Sequence, residues 1–396
     1  MATRPAEVRY DWIDTTPELR VFVSETVHET HYYLDTEFHR EKTYFPQLAL
    51  IQIANCGRTV LIDPTRVDTD ELRPLFEGSG WCVLHAAQQD LDVLSQSCGF
   101  VPARIIDTQL CAGFLGYSQP SLASLLQSFL KVVVPKGDRL TDWMRRPLTS
   151  DQKSYAASDV AYLSELNTLI TKELESLGRL QWALDACEEL RMRPTGPNPP
   201  EDAWLRVKDV RTLRGRSRWI AREVAAWREV RAMDLDLPPR HVLSDIAILA
   251  VAQKAPRTPE ELVQNRGVDN RHASGPHGRA LLDAIHRGVE LSGSGDLHFP
   301  SGDSDDLDRT MRPAATLVSA WITELARQAR LDASLLGTRK DIVDLLAGSP
   351  QARLASGWRA EIVGRDVEDL VAGRKALTFT RTGPETGLKL VEVPQT

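Results

Sequence analysis

The sequence predicts a mixed α/β domain followed by two all-helical modules. Short apolar, β-branched runs of strand length alternate with helical stretches in the first half. Past residue 200 only helical periodicity remains. Two stretches that cannot form regular structure divide the chain. Residues 194–200 (PTGPNPP) hold four prolines in seven positions, and residues 292–309 (SGSGDLHFPSGDSDDLDR) are rich in Gly, Ser and Asp. The cuts fall near 1–195, 201–291 and 310–396, with the first helical module placed at 211–291 and the second at 310–396. A length of 396 residues suits several such units better than one core.

Taken in order, residues 31–38 (HYYLDTEF) are predicted as a strand. Residues 48–54 (LALIQIA) and 59–62 follow as two more, joined by a turn at Asn55-Cys56-Gly57. Residues 81–85 (WCVLH) make a short buried strand. A helix over 88–98 then stops at Gly99. Leu122, Leu125, Leu126, Phe129 and Leu130 are spaced for a helix face, and residues 150–174 read as one long helix capped by Thr149 or Ser150. In the second block, 216–232 is helical. Thr258-Pro259-Glu260-Glu261 has the form of a capping box with proline at the first helical position, and Gly267 closes that segment. The third block is expected to be wholly helical.

Composition narrows the classes. At 42% apolar and 26% charged residues the chain is globular. No run approaches the about 18 apolar residues of a membrane span. Residues 1–12 lack an apolar core, so no secretory signal is expected. Five cysteines without a CxxC pair fit a reducing cytoplasm and argue against a disulfide framework or a zinc site. The net charge of −7 is unevenly spread. Residues 1–200 carry 19 basic and 27 acidic side chains, whereas 204–228 hold eight Arg or Lys against two acids.

Four acids and a tyrosine stand out. Side chains alternate along a strand, so Asp35 and Glu37 project from one face. Two carboxylates that close repel unless a proton or a cation lies between them. Asp90 falls in the first turn of the helix after the fourth strand, where the helix dipole alone also favours an acid. Tyr155 and Asp159 are four apart on a helix and share its face. Each element alone is common on ordinary surfaces.

Together, in this order, they resemble the DEDD superfamily of 3′→5′ exonucleases, in the subgroup that uses tyrosine. The stretches DTEFHREKTYFPQLALIQIA (35–54), LHAAQQDLDVL (84–94), IDTQL (106–110), TDWMRRPLTSDQKSYAASDVAYL (141–163) and EDAW (201–204) are similar to bacterial ribonuclease D. REVAAWREVRAMDLDLPPRHVLSD (222–245) is similar to the helicase-and-RNase-D C-terminal (HRDC) domain, and the segment past 310, with ASGWRAE (355–361), to a second such module.

The resemblance implies a ribonuclease-H-like mixed sheet flanked by helices, then two HRDC-like modules. It implies that Asp35, Glu37, Asp90 and Asp159 hold two divalent ions, Mg²⁺ or Mn²⁺, with Tyr155 orienting the attacking water. Two such ions, roughly 3.5–4 Å apart, activate water and relieve charge on the leaving oxygen, and hard oxygen ligands select them over zinc or copper. Phe38 and His85 are candidates to grip the terminal nucleotide, and Arg214 and Arg218 to contact phosphates. Asp107 and Asp142-Trp143 are read as supporting structure, with Trp143 buried.

The expected activity is exoribonucleolytic release of 5′-mononucleotides from RNA 3′ ends such as tRNA precursors, by a cytoplasmic monomer with no membrane contact. Two alternatives stand beside it: single-stranded DNA as substrate, and a scaffold with a dead nuclease domain, whose mark would be a missing acid. None of the four is missing.

Overall fold

The computed structural model describes residues 8–55, 57–134, 141–299, 307–308, 310–381 and 386–394. Cys56, in the turn expected between two strands, and most of 300–309 lie outside them. The first block is built on a six-stranded sheet of β1 (Asp11–Ile13), β2 (His31–His39), β3 (Gln47–Asn55), β4 (Arg58–Ile62), β5 (Trp81–Leu84) and β6 (Ile105–Asp107), in the spatial order β1-β4-β3-β2-β5-β6. The β2–β3 and β3–β4 pairs are antiparallel, and β1–β4, β2–β5 and β5–β6 are parallel. β2 therefore lies inside the sheet and carries its acids to the middle of the molecule.

Both faces of the sheet are covered, which is why β3 is buried from Leu48 to Asn55 rather than alternating. On one face Leu61 meets Trp143, Leu148, Ala156 and Ala157. On the other, Val60, Ile62, Ile51 and Ile53 join the main core with Phe76, Leu91 and Leu166. Trp143 is buried, as expected. Gly99 ends the helix Gln88–Cys98 in the left-handed conformation at φ 79°.

Sequence reading missed β1, β6 and the helix Thr16–Thr26. The long helix expected over 150–174 is two, Ser150–Ala161 and Leu163–Ser176, broken where Tyr162 leaves helical geometry (φ −108°, ψ 2°). Thr149 starts the first with a reciprocal capping box to Gln152. The helical run after Ser121 is one α turn, Leu122–Leu125, followed by a π turn, Leu126–Leu130.

Residues 203–285 form a separate helical core around Ile220, Val224, Ile248, Val251, Leu281 and Ile285. Its longest helices are Arg216–Leu235 and Gly275–Leu291. They touch so closely at Gly288 that a Cβ there would lie 2.5 Å from the Ile220 Cα. Thr258 caps Pro259–Val263 by accepting from the Glu261 N–H, but the Glu261 carboxylate turns to the Arg257 N–H, so the box is only half formed.

The third block is not wholly helical. After Arg312–Ala329, Arg339–Leu346 and shorter turns it ends in an antiparallel hairpin of β7 (Lys375–Thr380) and β8 (Gly387–Glu392). The signal was present in KALTFT, whose β-branched and aromatic residues suit a half-buried ribbon. Among the described residues this block has no core separate from that of the first block. Leu331, Leu335, Leu354 and Trp358 belong to the same cluster as Phe114 and Cys187 of the first block. The Trp358 ring stacks on Trp182 at 5.5 Å and meets Phe114 edge-on at 5.2 Å. Buried Arg359 donates to Glu189 at 2.7 Å, and Arg179 donates to the carbonyls of Phe114, Ala329 and Arg330. Among the described residues no helix is long and apolar enough to cross a membrane.

Candidate active site

β2 sets the site. Asp35 and Glu37 share a face of the strand, and Asp159 reaches them from the helix Ser150–Ala161. One carboxylate oxygen from each lies within 4.8 Å of the others. Asp90, in the first turn of Gln88–Cys98, is tied to the same strand: the N–H and hydroxyl of Thr36 both donate to its Oδ1, at 3.1 and 2.5 Å. The sequence-predicted acids are thus brought together, three directly and Asp90 through Thr36. A cleft of about 310 Å³ opens beside them, lined by Asp35, His85, Gln109, Gln119, Tyr155 and Asp159 among others. Tyr155 and Asp159 line it together because they are one helical turn apart. The Tyr155 ring lies 6.2 Å from that of Trp143.

Crowding marks the electrostatics. Burial pushes the Asp35 carboxyl up to about 7, against a pull downward from the Thr36 N–H. Asp90 is raised well above the usual carboxylate range by burial and then by the charge of Asp35, with the Thr36 bonds opposing. Groups so placed favour a shared cation. The donors are all carboxylate oxygens, the set suited to a hard divalent ion and not to zinc or copper.

The walls are fixed from behind. Asp107 is buried and accepts four backbone N–H groups. Oδ1 takes Ala86 at 3.0 Å, Gln109 at 2.8 Å and Leu110 at 3.3 Å; Oδ2 takes Ala87 at 2.9 Å. One side chain therefore caps the helix Thr108–Gly113 and holds the turn between His85 and Asp90, where Ala86 is left-handed at φ 61°. The Thr108 hydroxyl donates to the Leu84 carbonyl and meets His85 Nδ1 at 3.0 Å. With its single proton committed to Leu84, that hydroxyl accepts from Nδ1–H of His85.

Arg146 was not singled out from sequence, and it braces the strands. It donates to both oxygens of Asp63 at 2.6 and 2.8 Å, to the Ala49 carbonyl at 2.6 Å and to the Trp143 carbonyl at 2.7 Å. Ala49 is the extra residue of a β-bulge, since Glu37 faces Leu50 but Phe38 faces Leu48. Gln109, Gln119 and Ser121 also line the cleft without having been predicted. Gln109 stands within the quoted IDTQL stretch; the other two carry no local signal.

Three predicted contact residues lie elsewhere. Phe38 sits past the bulge, packed against the main core with the Arg40 guanidinium 5.3 Å from its ring centre. Arg218 spends its guanidinium on the carbonyls of Leu213 and Leu297, and Arg214 is exposed ahead of the helix Arg216–Leu235.

Residues 10–175 match the family model of the 3′-5′ exonuclease domain, and 217–285 that of the HRDC domain. The ribonuclease D of Jannaschia sp. (strain CCS1) is 34% identical over 375 residues, spanning 92% of this chain and 96% of its own. This chain belongs to the ribonuclease D family. The ribonuclease D of Acidiphilium cryptum (strain JF-5) is likewise 34% identical, over 92% of this chain and 94% of its own. The crystal structure of Escherichia coli RNase D, described as an exoribonuclease involved in structured RNA processing, superimposes with a TM-score of 0.81 at 31% identity. That match covers 92% of this chain and 99% of the other. As a ribonuclease D the chain is a 3′→5′ exoribonuclease hydrolase of a class that uses divalent metal.

Proposed function

We propose that this ribonuclease D trims RNA 3′ ends, such as those of tRNA precursors and other structured RNA, releasing 5′-mononucleotides from a two-ion site made by Asp35, Glu37, Asp90 and Asp159. The observation that carries the reading is the convergence of Asp35, Glu37 and Asp159 with Asp90 bound through Thr36. Two divalent ions, Mg²⁺ or Mn²⁺, would supply water activation and charge relief on the leaving oxygen.

The chain's own residues do the rest. Tyr155 borders the cleft beside Asp159. A phenol with a reference pKa near 10 is a poor free base, so its hydroxyl orients the attacking water. His85 lines the cleft, where its ring would meet the terminal nucleotide. The Asp107-held turn keeps His85 and Asp90 in register. Arg214, exposed ahead of the helix Arg216–Leu235, remains a candidate to meet RNA phosphates. One chain carries every member of the site, so a cytoplasmic monomer is the working form.

The test is digestion of 3′-labelled single-stranded RNA and a matched DNA with Mg²⁺ or Mn²⁺. Release of 5′-mononucleotides from RNA is expected. Degradation of DNA alone would move the substrate class, and no product from either with both metals would overturn the reading. Asp35→Asn should abolish turnover while leaving thermal unfolding intact; retained turnover would remove Asp35 from the site.

A further inference from the structure

The loop that leaves the acidic strand is held by the HRDC domain. After the bulge at Glu37 and Phe38, residues 40–46 turn back into β3. The N–H groups of Tyr44 and Phe45 both donate to Asp236 Oδ1, each at 3.0 Å. The Tyr44 hydroxyl donates to Glu229 Oε1 at 2.7 Å, and the same oxygen accepts from Arg206 at 2.6 Å. Asp236 caps the helix Arg216–Leu235 in a left-handed conformation at φ 49°, and Glu229 is buried on that helix. Burial and the Glu229 bond push the Tyr44 phenol upward, so it stays a donor.

These bonds reach the acids through a short path. Glu37 is the last residue of β2 in register before the bulge, and the bulge is where the β2–β3 pairing can slip. Arg146 pins its β3 side through the Ala49 carbonyl. The opposite end of the excursion, Tyr44 and Phe45, stands just before β3 begins, and there the pin is Asp236. We propose that Asp236, with Glu229 and Tyr44, is a positioning residue for the acidic site: the HRDC domain fixes the β2–β3 loop, and through the bulge it fixes the Glu37 carboxylate. The HRDC domain is then a structural wall of the nuclease as well as a module beside it. This rests on the metal-site reading above.

The experiment uses the full chain and two readouts. One is Mn²⁺ affinity, from the electron paramagnetic resonance of the free ion. The other is hydrolysis of the p-nitrophenyl ester of thymidine 5′-monophosphate, a substrate too small to span from the acids to the HRDC domain. Asp236→Ala should weaken Mn²⁺ binding about ten-fold, the lower end of what supporting residues around metal ligands contribute. It should lower kcat on the ester and on RNA by one common factor. Asp236→Asn keeps an acceptor oxygen for both N–H groups and should restore both readouts. If Asp236→Ala binds Mn²⁺ and cleaves the ester as wild type does, the proposal is overturned, even if its KM for RNA rises; the HRDC domain would then serve RNA binding alone. Should Asp236→Ala fail to fold, Tyr44→Phe removes one hydroxyl and gives the same readouts; wild-type values there also overturn it. A wild type that binds no Mn²⁺, or an Asp35→Asn that binds it normally, would sink the metal-site reading itself and the proposal with it.

Discussion

Replacing Asp107 tests how far one buried carboxylate organises the cleft. It accepts four N–H groups on two segments, three at Oδ1 and one at Oδ2. Asp107→Ala removes the helix cap to Gln109 and Leu110, which costs about 1 kcal/mol. It also strands the N–H groups of Ala86 and Ala87. Ala87 is fully buried, and each unsatisfied donor costs about 1–3 kcal/mol. The sum is about 3–7 kcal/mol, a large share of a typical domain's stability. Asp107→Asn is the sharper probe. Its carbonyl oxygen can keep the three Oδ1 bonds, while its NH₂ faces only the Ala87 N–H, so the loss is about 1–3 kcal/mol. Urea unfolding followed by tryptophan fluorescence, with the slope checked for constancy, reads both. Equal losses for Ala and Asn, or a loss under about 1 kcal/mol for Ala, would refute the division of labour between the two oxygens.

Two further outcomes follow from the same structure. Arg146→Ala leaves Asp63, with a side chain 1% exposed, as a buried anion, and should cost about 3–5 kcal/mol at pH 7. In the wild type burial pushes the Asp63 carboxyl up, but bonds from Arg146 and Thr65 outweigh it and leave it below its ordinary value. That contribution is present above the unfolded pKa of about 3.9 and is lost as pH falls through the lowered folded value. The variant's deficit in urea midpoint should therefore hold from pH 7 to about pH 4 and shrink as the pH is taken further down; a deficit that stays constant below about pH 4 would count against the ion pair. Gly288→Ala forces a Cβ onto the Ile220 backbone at 2.5 Å and should cost the HRDC domain about 1–3 kcal/mol. Limited proteolysis should then cut within 203–291 at a lower temperature than in wild type, and an unchanged cleavage temperature would show that the helices can shift apart freely.

What was legible in the sequence was local spacing, and the family resemblance gave it meaning. The two-residue period of a strand puts Asp35 and Glu37 on one face, one helical turn pairs Tyr155 with Asp159, and Asp90 stands at a helix start; only their likeness to the exonuclease pattern marks them as a site. What was not legible depends on partners far along the chain. Arg146 meets Asp63 across 83 positions, and Tyr44 meets Asp236 across 192. No periodicity in either neighbourhood announces the pair. The three-residue strands β1 and β6 are too short to show alternation, and only pairing to β4 and β5 makes them strands. The break at Tyr162 is hidden for another reason: its neighbours favour helix on both sides. Arg218, a candidate phosphate contact from sequence, donates to the carbonyls of Leu213 and Leu297, which lie outside its local sequence pattern.

The third block, whose described residues have no core separate from that of the first, sets an order of events during synthesis. Leu331, Leu335 and Trp358 complete the apolar cluster that Phe114 and Cys187 begin, yet the whole HRDC domain is made in between. The HRDC helices can close on themselves as they leave the ribosome. The nuclease face at Trp182 and Phe114 gains its cover only when Trp358 has been made. At about 5–20 residues per second that interval is on the order of ten seconds, during which the nascent nuclease presents an unfilled apolar surface. The third block is thus the part that closes the first.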